Sequence, residues 1–182
     1  MRRPYRVIQS AEQRIGRFTV VMDTLDIDGE EYPYSYIREK DFVCVLPICG
    51  NAVVYLRQYR HAVDTWKLEF PCGVIENGEM PEQAAARELL EETGCRALSL
   101  TGLGCFHAKA GTSTAKVYLF FADCALAREQ NTDPAEFIEV YQCPFDDFQE
   151  KIKTGEFDQV YGLIAWYRSE SLLIKKEQTE PC

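Results

Sequence analysis

The segment between Pro81 and Thr93 sets three carboxylates, Glu88, Glu91 and Glu92, on one side of a short helix. Pro81 suits the first helical position, where a missing N–H costs nothing, and Gly94 ends the helix; Ala84, Ala85, Ala86, Leu89 and Leu90 between them favour it. Glu91 and Glu92 follow Glu88 at i+3 and i+4, the spacings at which helical side chains meet. Like charges there are each unfavourable by a few tenths of a kcal/mol, and acids near a helix C-terminus also face the negative end of the macrodipole. For an arbitrary pair of helical glutamates a solvated charged face is the simpler reading. Three of them ask for a positive partner, and a hard divalent cation fits: magnesium and manganese favour carboxylate oxygens and keep waters that a phosphate can displace.

The rest of the chain limits what that cation can serve. With 20 basic against 29 acidic residues the formal charge is −9, so the chain repels nucleic-acid backbones and anionic membranes and is expected to bind neither. A phosphate substrate then needs a cation or a few well-placed arginines. No run of about 18 apolar residues is present to span a bilayer, and Arg2-Arg3 precedes no apolar signal core, which points to the cytoplasm. The eight cysteines form no CxxC pair and mostly sit in apolar company, as in Phe42-Val43-Cys44-Val45; they read as reduced core residues.

Along the chain, Arg17–Ile27 and Tyr32–Arg38 read as two strands of a hairpin turning at Asp28-Gly29. Phe42–Ile48 and Ala52–Tyr59 read as a second hairpin around Cys49-Gly50-Asn51, with a short apolar run at Trp66–Phe70 before the turn Pro71-Cys72-Gly73. Strands return at Ala97–Phe106, Lys116–Ala122 and Ile138–Gln142. Amphipathic helices follow near Phe145–Lys153 and Asp158–Ser169, and a frayed tail closes the chain over Lys175–Cys182.

The frame Gly73, Glu79, Arg87, Glu88, Glu91, Glu92 and Gly94 resembles the Nudix box of the Nudix hydrolases, G-x5-E-x7-R-E-U-x-E-E-x-G-U with U aliphatic. Every fixed letter matches, Leu89 takes the first U position, and Cys95 stands where Ile, Leu or Val is usual. The resemblance implies that Glu88, Glu91 and Glu92 ligate Mg2+, with Mn2+ as an alternative. It implies that Arg87 orients the acids by charge-assisted hydrogen bonds and that Glu79 is a structural partner or outer ligand. The implied reaction is hydrolysis of a diphosphate bond without a covalent intermediate.

The flanks resemble the ADP-ribose and nucleotide-sugar branch. Arg57-Gln58-Tyr59-Arg60 stands where that branch has a QYR-like strand, and Glu69-Phe70-Pro71-Cys72-Gly73 where it has an E-x-P-A-G-like segment. Cys72 replaces the usual alanine, yet its backbone carbonyl still qualifies as a metal ligand. Arg57 and Arg60, alternating with Tyr59 on a strand, are expected to share a face and reach a diphosphate; Glu69 is a substrate-side candidate beside them. Lys109-Ala110-Gly111 occupies the place of an S-P-G loop, with Gly111 as a substrate contact, and the missing proline leaves ADP-hexoses and GDP-mannose open. In Asp133–Val140, similar to the branch's acidic loop, Glu136 is the first choice of general base and Glu139 the second. His61 and His107 read as packing or rim residues, since hard ions need no imidazole.

The expected fold is α/β, the Nudix α/β/α sandwich with a mixed β-sheet, preceded by a small N-terminal antiparallel β hairpin or sheet. Residues 1–40 form that extension and 41–182 the hydrolase domain; the resemblance implies a homodimer through the extension, with Tyr32, Tyr34 or Phe18 able to stack on the base. The expected activity is Mg2+-dependent cleavage of ADP-ribose or a related nucleoside-diphosphate sugar. A housecleaning hydrolase of nucleoside triphosphates or dinucleoside polyphosphates, and a non-catalytic nucleotide sensor, are the alternatives.

Overall fold

A computed structural model describes residues 3–128, 130–131 and 136–179, with the backbone alone for 175–179. The chain forms two compact units, one of residues up to Asp41 together with His107–Lys116, the other of Phe42–Phe106 and the chain from Val117 onward.

The first unit holds a three-stranded antiparallel sheet, β1 (Arg6–Ile15), β2 (Phe18–Ile27) and β3 (Glu30–Arg38), in that order. Asp28 and Gly29 link β2 to β3 with φ of 54° and 90°, the paired positive dihedrals that a two-residue hairpin turn demands. β2 and β3 form the hairpin expected from the sequence, whereas β1 is not expected from it. Nearly all of β1 is exposed, so no apolar alternation announces it; its pairing to β2 from Arg6↔Asp26 to Ile15↔Phe18 makes it a strand. The loop at 107–116 bonds to β3 within this unit, Ile37 N–H donating to Thr112 O at 2.9 Å and Thr114 N–H to Ile37 O at 3.1 Å.

The second unit is built on a seven-stranded mixed sheet. Its path is β10 (Ile138–Pro144), β5 (Ala52–Arg60), β4 (Phe42–Cys49), β9 (Lys116–Leu126) and β8 (Cys95–His107), with β6 (Thr65–Glu69) on β5 and β7 (Cys72–Val74) on β4. β4 runs parallel to β9 and antiparallel to β5, and both of its faces are covered, which explains its unbroken apolar sequence. Successive residues alternate between two cores. Cys44, Leu46 and Ile48 meet Phe70, Phe148, Phe157 and Trp166, whereas Val43 and Val45 meet Ala84, Ala85 and Leu89 of α1 (Pro81–Thr93). Helices α2 (Phe145–Lys153), α3 (Val160–Arg168) and α4 (Glu170–Thr179) pack into the first core, giving the expected helix–sheet–helix layering. Phe70, Phe148 and Phe157 are fully buried with centroids 4.8–5.2 Å apart, contacts worth about 0.5–1.5 kcal/mol each beyond burial.

The C-terminal region departs from the sequence reading. The second expected helix is confined to α3, and a further helix, α4, follows; buried Ser169 separates them, its Oγ and N–H both bonded to Ala165 O. The expected frayed tail is therefore helical backbone to Thr179, and 180–182 lie outside the described residues. The cysteines from Cys44 to Cys143 are free thiols, with Cys105 exposed, and Cys182 lies outside the described residues. Among the described residues no helix is long and apolar enough to cross a membrane.

Candidate active site

Helix α1 begins where the Met80 N–H donates to Gln83 Oε1 at 2.9 Å with Pro81 in the first turn, and stops at Gly94, whose φ of 72° is open to glycine. Its C-terminal carbonyls are satisfied by the segment after β9: Asn131 N–H donates to Glu91 O at 2.8 Å, and Ala127 and Arg128 N–H to Gly94 O at 3.0 and 3.2 Å. A Cβ on Gly94 would lie 2.1 Å from Arg128 O, so this docking also depends on glycine.

Arg87 organises the acids. Its Nε and Nη2 grip Glu79 at 2.9 and 3.0 Å, Nη1 reaches Glu88 at 2.7 Å and Glu91 at 3.2 Å, and Nη2 also donates to Val74 O at 3.0 Å. The planar fork thereby ties three carboxylates to the strand that leads into the box, which lysine's single ammonium cannot do. Glu79 also accepts the Glu76 N–H at 2.9 Å, and Arg87 holds its carboxyl below the usual carboxylate range. Glu79 in turn raises the Arg87 guanidinium further above its ordinary value. Gly73 lies beneath Glu88 so closely that a Cβ there would fall 1.8 Å from the Glu88 carboxyl carbon.

Glu92 stands differently. It is 5% exposed, and its carboxylate accepts the Cys72 N–H at 3.1 Å. Burial first, then the charge of Glu88, pushes its carboxyl well above the ordinary value, and burial raises Glu88 as well. Glu136 is exposed, yet near enough for its charge to raise both. Asp133, Pro134 and Ala135 of the same acidic loop lie outside the described residues.

Among the described residues no three His, Cys, Asp or Glu side chains form a ready-made metal cage, because Arg87 holds Glu88 and Glu91 while Glu92 faces the Cys72 amide. The donor chemistry nevertheless suits a hard divalent ion. Magnesium is commonly held by one or two carboxylates, waters and substrate phosphates rather than by a complete protein cage. A buried carboxylate beside a second acid is what such an ion stabilises.

The arginines correct one expectation. Arg57 and Arg60 are three residues apart, and an odd separation puts strand side chains on opposite faces. Arg57 lies 4.4 Å above the Trp66 ring and pairs with Glu139 at 2.9 Å, while Arg60 donates Nε to Glu69 at 2.9 Å and Nη2 to its other oxygen. Glu139 is thus engaged by Arg57, which lowers its carboxyl. Glu69 is 9% exposed, and its pairing raises Arg60. Gly111 belongs to the first unit, where its carbonyl accepts the Tyr34 hydroxyl at 2.8 Å; His61 and His107 are both exposed.

Sequence reasoning missed the Trp66 platform, the segment that caps α1 and Gln159. The last precedes α3 as an ordinary polar residue, and no local pattern marks it.

The NUDIX domain model matches residues 39–167, and the chain belongs to the Nudix family. Among its relatives, the ADP-ribose pyrophosphatase of Bacillus subtilis (strain 168) is 29% identical over 152 residues, spanning 82% of this chain and 80% of that one. The GDP-mannose pyrophosphatase of Enterobacter sp. (strain 638) is 32% identical over 124 residues, spanning 63% and 64%. A crystal structure of an ADP compounds hydrolase superposes with a TM-score of 0.85 at 21% identity, covering 97% of this chain and 98% of that one, so the fold is the Nudix fold.

Proposed function

We propose that this chain hydrolyses the diphosphate bond of ADP-ribose or a related nucleoside-diphosphate sugar, releasing a nucleoside monophosphate and a sugar phosphate. One observation carries the reading: a complete Nudix box in which Arg87 holds Glu79, Glu88 and Glu91 while Glu92 is buried beside them and accepts the Cys72 N–H. Similarity to pyrophosphatases acting on ADP-ribose and GDP-mannose supports the substrate class.

Glu88, Glu91, Glu92 and the Cys72 carbonyl would hold the divalent ion, Mg2+ in this proposal. When bound, that ion neutralises diphosphate charge and lowers the pKa of a water. Arg87 keeps the acids oriented, and Glu136, whose charge is felt at both Glu88 and Glu92, is the proposed acceptor of a proton from the attacking water. Arg60, set by Glu69, is the substrate-side cation, with Arg57 on the opposite strand face. Residues 1–40 serve as a dimerising extension of the hydrolase domain 41–182, in a cytoplasmic homodimer; exposed Ile15, Phe18 and Met22 favour a covered sheet face.

A panel of ADP-ribose, ADP-glucose, GDP-mannose, diadenosine polyphosphates and nucleoside triphosphates, run with Mg2+ beside Glu92→Gln, tests the substrate class. Preference for a diphosphate sugar, lost in the variant, is the expected result. Preference for triphosphates or dinucleoside polyphosphates would replace that class, and binding without turnover would make the protein a sensor.

A further inference from the structure

The passage from β6 to β7 leaves a buried peptide group to be satisfied. β6 pairs with β5 and β7 with β4, so at Phe70 and Pro71 the chain changes partner strand. Pro71 has no N–H to donate, although its carbonyl accepts the Val45 N–H at 2.9 Å, and Phe70 is fully buried. The Phe70 amide and carbonyl both turn to one side chain, that of Gln159 before α3. The Phe70 N–H donates to Gln159 Oε1 at 2.9 Å, and Gln159 Nε2 donates to Phe70 O at 3.3 Å, reproducing the exchange of a neighbouring strand.

The same Nε2 lies 3.4 Å from Glu69 Oε2 and 3.4 Å from Cys72 Sγ. One amide thus touches three residues of the four-residue run Glu69–Cys72. At one end of that run Glu69 holds Arg60; at the other the Cys72 N–H meets Glu92. The approach is tight: a Cβ on Gly162 would fall 2.6 Å from Gln159 Oε1, so α3 needs glycine there to let the side chain fold back.

We propose that Gln159 is a positioning residue for the diphosphate site, setting the Cys72 peptide against Glu92 and the Glu69 carboxylate against Arg60 through its paired hydrogen bonds to Phe70. It acts through backbone placement and touches no reacting atom. The inference rests on the proposed function for its catalytic consequence, but its effect on the metal site can be read without substrate.

The test uses the full-length protein and two variants. Gln159→Met keeps the volume and loses both hydrogen bonds; Gln159→Glu keeps an acceptor for the Phe70 N–H while setting a carboxylate against Glu69 and the Phe70 carbonyl. Mn2+ affinity is measured by electron paramagnetic resonance well below each variant's Tm, and kcat and KM for ADP-ribose are measured alongside. The expected result is Mn2+ binding weakened about tenfold in Gln159→Met, as for partners that orient metal ligands, with Gln159→Glu at least as weak and kcat falling in both. Parent Mn2+ affinity in folded Gln159→Met, with only Tm lowered, would overturn the proposal. A parent protein that turns over nothing, combined with weakened Mn2+ binding in the variants, would sink the hydrolase reading while leaving the positioning role standing.

Discussion

Replacing Gly73 by alanine puts a methyl group where the Glu88 carboxylate now lies. An ideal Cβ at residue 73 falls 1.8 Å from Glu88 Cδ, 1.9 Å from Oε1 and 2.3 Å from Oε2. Ordinary carbon contacts sit at about 3.5 Å, so the carboxylate must retreat by roughly 1.7 Å. The 2.7 Å bond from Arg87 Nη1 cannot follow without loosening the grip on Glu79 and Glu91. The colliding atoms end a flexible side chain, so the fold survives. An alanine restricts the unfolded chain by about 0.4–1 kcal/mol, which offsets part of the lost ion pair. A misplacement of this size in a catalytic array costs on the order of 10²-fold, or about 2.7 kcal/mol of transition-state stabilisation. The assay is kcat/KM for the best substrate beside thermal melting, with Gly102→Ala as control, because a Cβ there meets nothing within 4 Å. Activity of Gly73→Ala within threefold of the parent would refute the reasoning, and so would an equal loss in the control.

Glu92→Gln should stabilise the metal-free protein at alkaline pH, where the parent must bury an ionised carboxylate, while abolishing turnover. Glu92's folded pKa lies above its unfolded value, so its favourable contribution is full below the ordinary carboxylate pKa and fades as pH rises through the raised folded one. Between those limits the metal-free parent should gain stability on acidification relative to the Glu92→Gln variant, and parallel melting curves across that window would contradict this. Arg87→Lys keeps the charge but replaces a fork with a point donor; kcat/KM should fall about 10–100-fold and stability by about 1–3 kcal/mol. Parent-like kinetics there would mean that the Arg87 fork does not orient the acids.

Helix α1 is readable in the sequence because its determinants are local. Pro81, the alanines and Gly94 bound it, and the i+3 and i+4 spacing alone gathers Glu88, Glu91 and Glu92. Strand-like apolar runs on either side of the turn Cys49-Gly50-Asn51 likewise mark β4 and β5, whose residues feed two cores. What escaped depends on residues distant in sequence. β1 is an exposed polar run made into a strand by β2. Gln159 is one glutamine among many until the fold brings it 2.9 Å from the Phe70 amide. The Arg57–Arg60 pairing failed for a simpler reason, since strand periodicity of two separates residues three apart. Ser169, buried and bonded to Ala165, divides what looked like one helix followed by a loose tail.

The most direct test of the account is ADP-ribose turnover as a function of divalent ion, with both products quantified. Metal-stripped protein is titrated with Mg2+ and the release of AMP and ribose phosphate followed, with chelator added at the end. Equal amounts of the two products, rising to saturation with Mg2+, absent in Glu92→Gln and halted by chelator, are what the site geometry predicts. Undiminished cleavage in metal-free protein, or no monophosphate released from any nucleoside-diphosphate sugar at saturating Mg2+, would contradict it.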